Sequence, residues 1–351
     1  YPLVNDCCEI LYDLLKDGNH RVQKFIFTLL EENLFSKEFF HYIKDRFTNF
    51  VDLIKSESLS ENVVEYTFAE METSTLAIKL SGVSPNSMIV NIMQVLKLFC
   101  DNCYLDFQNF LRIQTTKKLK DNPFSIDMVT HVAEFLVLLV KEDPYLSQEY
   151  VCTLAKVALN TLTEFVIGPC SENQRVIIEN KKLIETINTI LSLSMTCQGL
   201  LTDKDVERAD ILYECAIFIE SLVIGNQSTV LLRMLLDVLN GDALINRLLD
   251  VYYFRVRNHK KEVLLDIDCT RDQQCTDAEC KEGHLSKLDR ILIQAAFKIY
   301  LIMQLFIENL PENEKSKGFE HQQAILKAEL SHFNKSDVLN QMYKSSEIKP
   351  L

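Results

Sequence analysis

The sequence predicts an all-α protein, an armadillo/HEAT-like α-solenoid of stacked helical hairpins. Three observations carry that expectation. Turn-forming residues are scarce, 8 Gly and 7 Pro in 351 residues, against an ordinary usage of roughly 7% and 5%, so connections are few and elements long. Apolar residues recur three and four positions apart, which lines one face of a helix. Finally, an apolar helix ending in a small polar turn is followed four times by a glutamine near the start of the next helix.

Taken in order, this periodicity predicts helices near 3–16, 20–33, 37–56, 61–80, 86–100, 105–114, 126–141, 148–166, 172–195, 204–223, 228–239, 242–256, 287–309 and 320–342. Ser36 precedes Phe39, Phe40, Ile43, Phe47 and Phe50, which share one face. Ser58 followed by Glu61 has the spacing of a capping box, and Ser84 before Pro85 reads as an N-cap with proline at the first helical position. Ser125 opens the helix carrying Met128, Val132, Phe135 and Leu139, and Ser147 opens the one running toward Phe165. The recurring glutamines are Gln23 in LLKDGNHRVQKFIF, Gln108 in LFCDNCYLDFQNFL, Gln174 in FVIGPCSENQRVI and Gln227 in SLVIGNQSTVLL. Their intervals exceed the about 40 to 47 residues of one armadillo or HEAT unit, so the repeat is irregular. Short connections between helices make antiparallel neighbours, hence stacked hairpins. The chain divides into a helical segment over 1–85, a solenoid over 86–258, a polar cysteine-containing loop over 259–286 and C-terminal helices over 287–351.

Composition narrows the function. The net charge of −13 repels a phosphate backbone or an anionic membrane surface, which argues against nucleic acid as partner. The basic run at Lys117, Lys118 and Lys120 reads as a solvated loop. Eleven cysteines, several inside apolar helical stretches, fit a reducing compartment. The chain begins at Tyr1 without Met, as a partial segment would. The most apolar stretch, 291–310, contains Lys298, Gln304 and Glu308, so it predicts a buried core helix and no membrane contact.

Motifs for catalysis are missing: there is no Gly-rich phosphate loop, nucleophile elbow or HExxH helix, and the seven histidines are dispersed. The sequence therefore predicts no enzyme. His131 reads as a helix-surface residue and not a base. Cys269, Cys275, Cys280 and His284 could ligate zinc, yet their spacing lacks the paired CxxC pattern of zinc modules, so no zinc site is favoured. Asp266, Asp268 and Thr270 resemble the start of a calcium loop, but Arg271 stands where an EF-hand needs Gly.

Two segments stand out, LFCDNCYLDFQNFLRIQ (98–114) and LNTLTEFVIGPCSENQ (159–174). Each has an acid near a helix C-terminus just before the turn, Asp101 in the first and Glu164 in the second. Helix C-termini offer free carbonyls and partial negative charge, which favour a cation. Successive hairpins place such turns on one edge, where two carboxylates could share an ion, although calcium's six to eight oxygens would still need completing. From the residues alone, a pair of solvated helix-end acids is the plainer reading.

The strings QNFLRIQ (108–114) and LTEFVIGPCSENQ (162–174) resemble the central cytosolic region of the inositol trisphosphate and ryanodine receptor family, the segment associated with its RIH homology domains. The similarity extends more weakly over about 90–239, and the late helix with Ile291, Ala295 and Tyr300 looks more like the inositol trisphosphate receptor branch. The resemblance implies an armadillo-like solenoid in which Asp101 and Glu164 contribute to a calcium site, completed by a backbone oxygen from a C-terminal segment beyond the pore. It also implies a regulatory relay in a homotetrameric calcium-release channel, working with other domains and subunits at the cytoplasmic face of the endoplasmic reticulum or another internal membrane. Asp101 stands where the family usually has Glu, Cys103 where His is common, and Ile167 where Gln precedes GPC. The alternative is a non-channel α-solenoid scaffold that binds helical protein partners on its concave face.

Overall fold

The structure is a computed structural model and describes residues 2–16, 18–32, 36–58, 85–115, 125–193, 203–224, 228–251 and 287–309. All regular structure among them is helical, which meets the expectation of an all-α chain. In order the helices are α1 (Pro2–Leu15), α2 (His20–Glu32), α3 (Ser36–Ser58), α4 (Pro85–Cys100), α5 (Leu105–Arg112), α6 (Met128–Glu142), α7 (Glu149–Val166), α8 (Ser171–Glu179), α9 (Lys181–Ser192), α10 (Asp203–Val223), α11 (Thr229–Val238), α12 (Gly241–Val251) and α13 (Lys287–Asn309). A 3₁₀ turn, Asp101–Cys103, separates α4 from α5. The helices expected at 61–80 and 320–342, the Ser84 cap, the lysine run, the 259–286 loop with its cysteines and His284, and Gln227 lie outside the described residues.

The chain forms two compact units. The first comprises residues Tyr1–Thr186 with Ile224–Gln227, the second Ile187–Val223 with Ser228–Leu351. Unit one consists of consecutive helix triads, α1–α3, α4–α6 and α7–α9, the last shared with unit two from Ile187 onward. The first helices stack in the order α1, α4, α7; α5 packs on α8, and α3 on α6. Helix α7 lies between α4 and α6 and buries Val151, Leu154, Ala155, Ala158, Leu159, Leu162 and Phe165, while Glu149, Lys156, Asn160 and Glu164 share a less buried polar stripe.

Phenylalanine fills the space between the first two triads. Phe27 of α2 meets the rings of Phe107 and Phe110 edge-on at centroid distances of 5.3 and 5.4 Å, and Phe47 of α3 meets Phe135 of α6 at 5.2 Å. Phe99 and Phe107 stack at 4.5 Å across the α4–α5 turn. Edge-to-face and offset pairs of this kind add about 0.5 to 1.5 kcal/mol each beyond their burial.

Several helix ends differ from expectation. Asp127, not Ser125, caps α6, its carboxylate accepting the Thr130 N–H at 3.0 Å. Ser125 instead accepts the Gln114 N–H and donates to the Gln114 amide oxygen. Ser147 is itself held by Asp143, whose carboxylate accepts the N–H groups of Ser147 and Gln148 at 2.7 and 2.9 Å. The single helix expected over 172–195 is two, because Asn180 leaves helical geometry (φ −79°, ψ 84°) and caps α9 by accepting the Leu183 N–H. Asparagine's side chain competes with the helix for backbone groups, which is why it breaks helices from within. Ser58 is the last residue of α3, and its proposed partner Glu61 falls outside the described residues.

In unit two, α13 packs on α10 and α12. Its Lys298 does not face lipid but forms a 2.7 Å ion pair with Glu220 of α10. No helix among the described residues is long and apolar enough to cross a membrane. Arg247 of α12 donates to the carbonyls of Leu191 and Leu193, and Asn188 donates to Val238 O at 2.9 Å, so helix ends here too are closed by side-chain donors.

Candidate functional site

The turns α1–α2, α4–α5 and α7–α8 lie against one another along one edge of unit one. A Cβ on Gly18 would lie 2.1 Å from the Asn102 amide nitrogen and 3.2 Å from Asp101 Oδ2; one on Gly168 would lie 3.1 Å from both Cβ and Sγ of Cys103. Both glycines have left-handed φ, +67° and +87°, so the first and third turns close up on the second only where no side chain stands. The second turn carries two left-handed residues in succession, Asn102 (φ 60°) and Cys103 (φ 56°). Asparagine tolerates that region; cysteine does so rarely.

The backbone carbonyls at these turns are not free, contrary to the sequence expectation. Each of the three described glutamines of the repeat, Gln23, Gln108 and Gln174, sits in the first turn of its helix and gives its amide N–H₂ to a helix C-terminus. Gln23 donates to Leu98 O and Asp101 O at 2.9 and 3.0 Å. Gln108 donates to Glu164 O and Ile167 O at 2.8 and 2.9 Å. Gln174 donates to Val166 O and Gly168 O, while Asn173 donates to Phe165 O and Gln108 O. Arg112 holds the Asn173 amide oxygen at 3.0 Å. These bonds satisfy the last carbonyls of α4 and α7 that a helix leaves open. A cation at this edge would therefore meet carboxylates, and carbonyls that each already accept an amide hydrogen bond.

Asp101 and Glu164 are brought into one electrostatic neighbourhood. Burial raises the Glu164 carboxyl above its ordinary range; Lys97 pulls it down and Asp101 pushes it up. The thiol of Cys103 is raised by burial, then by Glu164 and Asp101. Cys100, fully buried, is pushed well above the ordinary thiol range by burial, by Cys170 and by Glu164. One Asp101 oxygen accepts the Asn102 N–H at 2.9 Å, and the other points along the first turn toward Gly18.

The donor set decides what these residues fit. Carboxylate oxygens are hard ligands suited to calcium, and two supply at most four of the six to eight oxygens it takes. Among the described residues no group of three or more His, Cys, Asp or Glu is arranged to hold a metal. Sequence reasoning singled out both acids and the glutamines, but not Gly18, Gly168 or Cys103 as the pieces that set the turns against one another. Residues 84–191, which contain both acids and two of the glutamine clamps, match the family described as RyR and IP3R Homology associated.

Proposed function

We propose that this chain is a cytosolic regulatory relay of a tetrameric intracellular calcium-release channel, most similar to the inositol trisphosphate receptor branch, in which Asp101 and Glu164 contribute to a calcium-sensing site. The observation that carries the reading is the coincidence of the family match at 84–191 with the electrostatic influence of Asp101 on the carboxyl of Glu164, 63 positions further along that stretch. The stacked triads of unit one are, on this reading, the start of an armadillo-like solenoid. A second segment, linked to the pore, completes the calcium shell with further oxygens, and the other domains and subunits of a homotetramer at the cytoplasmic face of an internal membrane are the partners.

The physical logic is that of linkage. Glu164 is half-buried, and only Lys97 among its named neighbours favours its charge. A divalent cation relieves this at a stroke, and if the completing oxygen is in reach in one pore state only, calcium favours that state by its differential affinity. The test is calcium-dependent gating of the full channel with Glu164→Gln. Weakened calcium dependence with unchanged folding of the chain supports the relay; unchanged calcium dependence removes it and leaves the scaffold reading, in which the triads bind helical partners without an ion.

A further inference from the structure

We infer that Gln23 and Gln108 are positioning residues for the two carboxylates, each fixing one acid by clamping that residue's own backbone carbonyl from a neighbouring triad. The inference rests on the reading of Asp101 and Glu164 as calcium ligands, and it explains why the recurring glutamines fall where they do. Gln23 belongs to α2, yet its amide bonds Asp101 O and Leu98 O, one triad on. Gln108 belongs to α5, yet its amide bonds Glu164 O and Ile167 O, again one triad on. Both side chains are fully buried. Their rotamers are thus locked by packing, and the bonds are of ordinary length, 2.8 to 3.0 Å.

The arrangement is economical in one respect and costly in another. Each amide nitrogen gives both its hydrogens to the C-terminus that bears the acid, while the amide oxygens of Gln23 and Gln108 are buried without a hydrogen-bond partner. A buried unsatisfied acceptor carries an uncompensated desolvation cost. A site retained at that cost in both triads is set by what the nitrogen does. The clamps also make a mechanical link: α2 reports on the position of Asp101, and α5 on that of Glu164, so a displacement of one triad against the next changes the separation of the carboxylates. Outer contacts that orient a metal ligand typically change metal affinity by about 10 to 100-fold when removed.

The experiment is a set of methionine substitutions in the whole 351-residue chain, with calcium chloride as the probe and hydrogen exchange as a readout that needs no calcium. Gln108→Met keeps the volume and removes the donors; Gln108→Asn keeps an amide too short to reach both carbonyls and serves where the first variant does not fold. Gln23→Met is the counterpart. Gln114→Met is the control, since Gln114 clamps Phe110 O and Ile126 O by the same chemistry at a turn without an acid. The expectation is a tenfold or greater loss of calcium affinity in the Gln108 and Gln23 variants and less than about twofold in the control. Exchange should quicken locally, over 163–168 in the Gln108 variants and over 98–104 in Gln23→Met. Equal affinity losses in all variants, or local quickening without any affinity loss, would overturn the positioning role. Absence of calcium binding in the parent chain would instead remove the calcium reading; in that case unchanged exchange at the two turns would overturn the clamps independently.

Discussion

Gly168→Ala isolates the closeness of the turns on which the site depends. An L-residue in the left-handed region costs about 1 to 2 kcal/mol. Replacing glycine also narrows the unfolded ensemble, which returns about 0.4 to 1 kcal/mol. The backbone share is therefore about 1 kcal/mol. The new methyl would stand 3.1 Å from Cβ and Sγ of Cys103; Cβ belongs to the rigid base of that side chain, so the second turn must yield, at about 1 kcal/mol, the low end of overpacking. Together the loss is about 2 kcal/mol. Cys103→Gly removes the obstructing atoms and also suits the φ of 56° at that position, so in the double variant only the backbone share should persist. Urea unfolding followed by circular dichroism, arranged as a double-mutant cycle, reads this as a coupling of about 1 kcal/mol. A coupling indistinguishable from zero would mean that the second and third turns are not in contact and would refute the stacked edge.

Glu164→Gln should raise stability at neutral pH in chelator-treated buffer. Burial lifts the folded-state pKa of Glu164 above its unfolded value, so the folded state binds the proton more tightly and the stability of the parent falls as pH rises from the ordinary carboxylate range through the raised value. The advantage of the variant should accordingly shrink as pH is lowered, and a parent more stable than the variant at pH 7 would contradict the assignment. Cys103 should alkylate faster at mildly alkaline pH in Glu164→Gln, since that carboxylate helps raise the thiol; Cys100 and Cys215, fully buried, should stay unlabelled in the native chain. An unchanged Cys103 rate would separate the thiol from Glu164. In unit two, Lys298→Met should cost about 2 to 3 kcal/mol by leaving Glu220 without its cation, and Lys298→Met with Glu220→Leu should recover most of it, as thermal unfolding would show.

How much of this was legible in the sequence varies from residue to residue. Helices announced themselves where burial is one-sided and periodic, as in α6 with Met128, Val132, Phe135 and Leu139. Glutamine after the turn was visible as a recurrence, but its purpose was not, because the carbonyls that Gln23 and Gln108 hold belong to another triad, 75 to 78 residues away for Gln23. Serine as a cap signal failed at Ser125 because Asp127 accepts the capping N–H, and at Ser147 because its hydroxyl donates to Asp143 while Gln148 stands at the N-cap. Asn180 looked like one polar position among many in a helical pattern. Only the break shows that its side chain won the local competition. For the site, the acids could be placed at helix ends, while the expected free carbonyls could not be tested without knowing which distant amides reach them.

The most direct test of the central claim is a calcium titration of the 351-residue chain, followed by the backbone amide signals of the Asp101–Tyr104 and Glu164–Gly168 turns. The account predicts that signals from both turns shift together with one dissociation constant, about 10⁻⁴ to 10⁻³ M because two carboxylates leave the shell incomplete, and that Asp101→Asn or Glu164→Gln alone abolishes the response at both. Shifts confined to one turn, or a response that survives neutralising either acid, would contradict a shared ion.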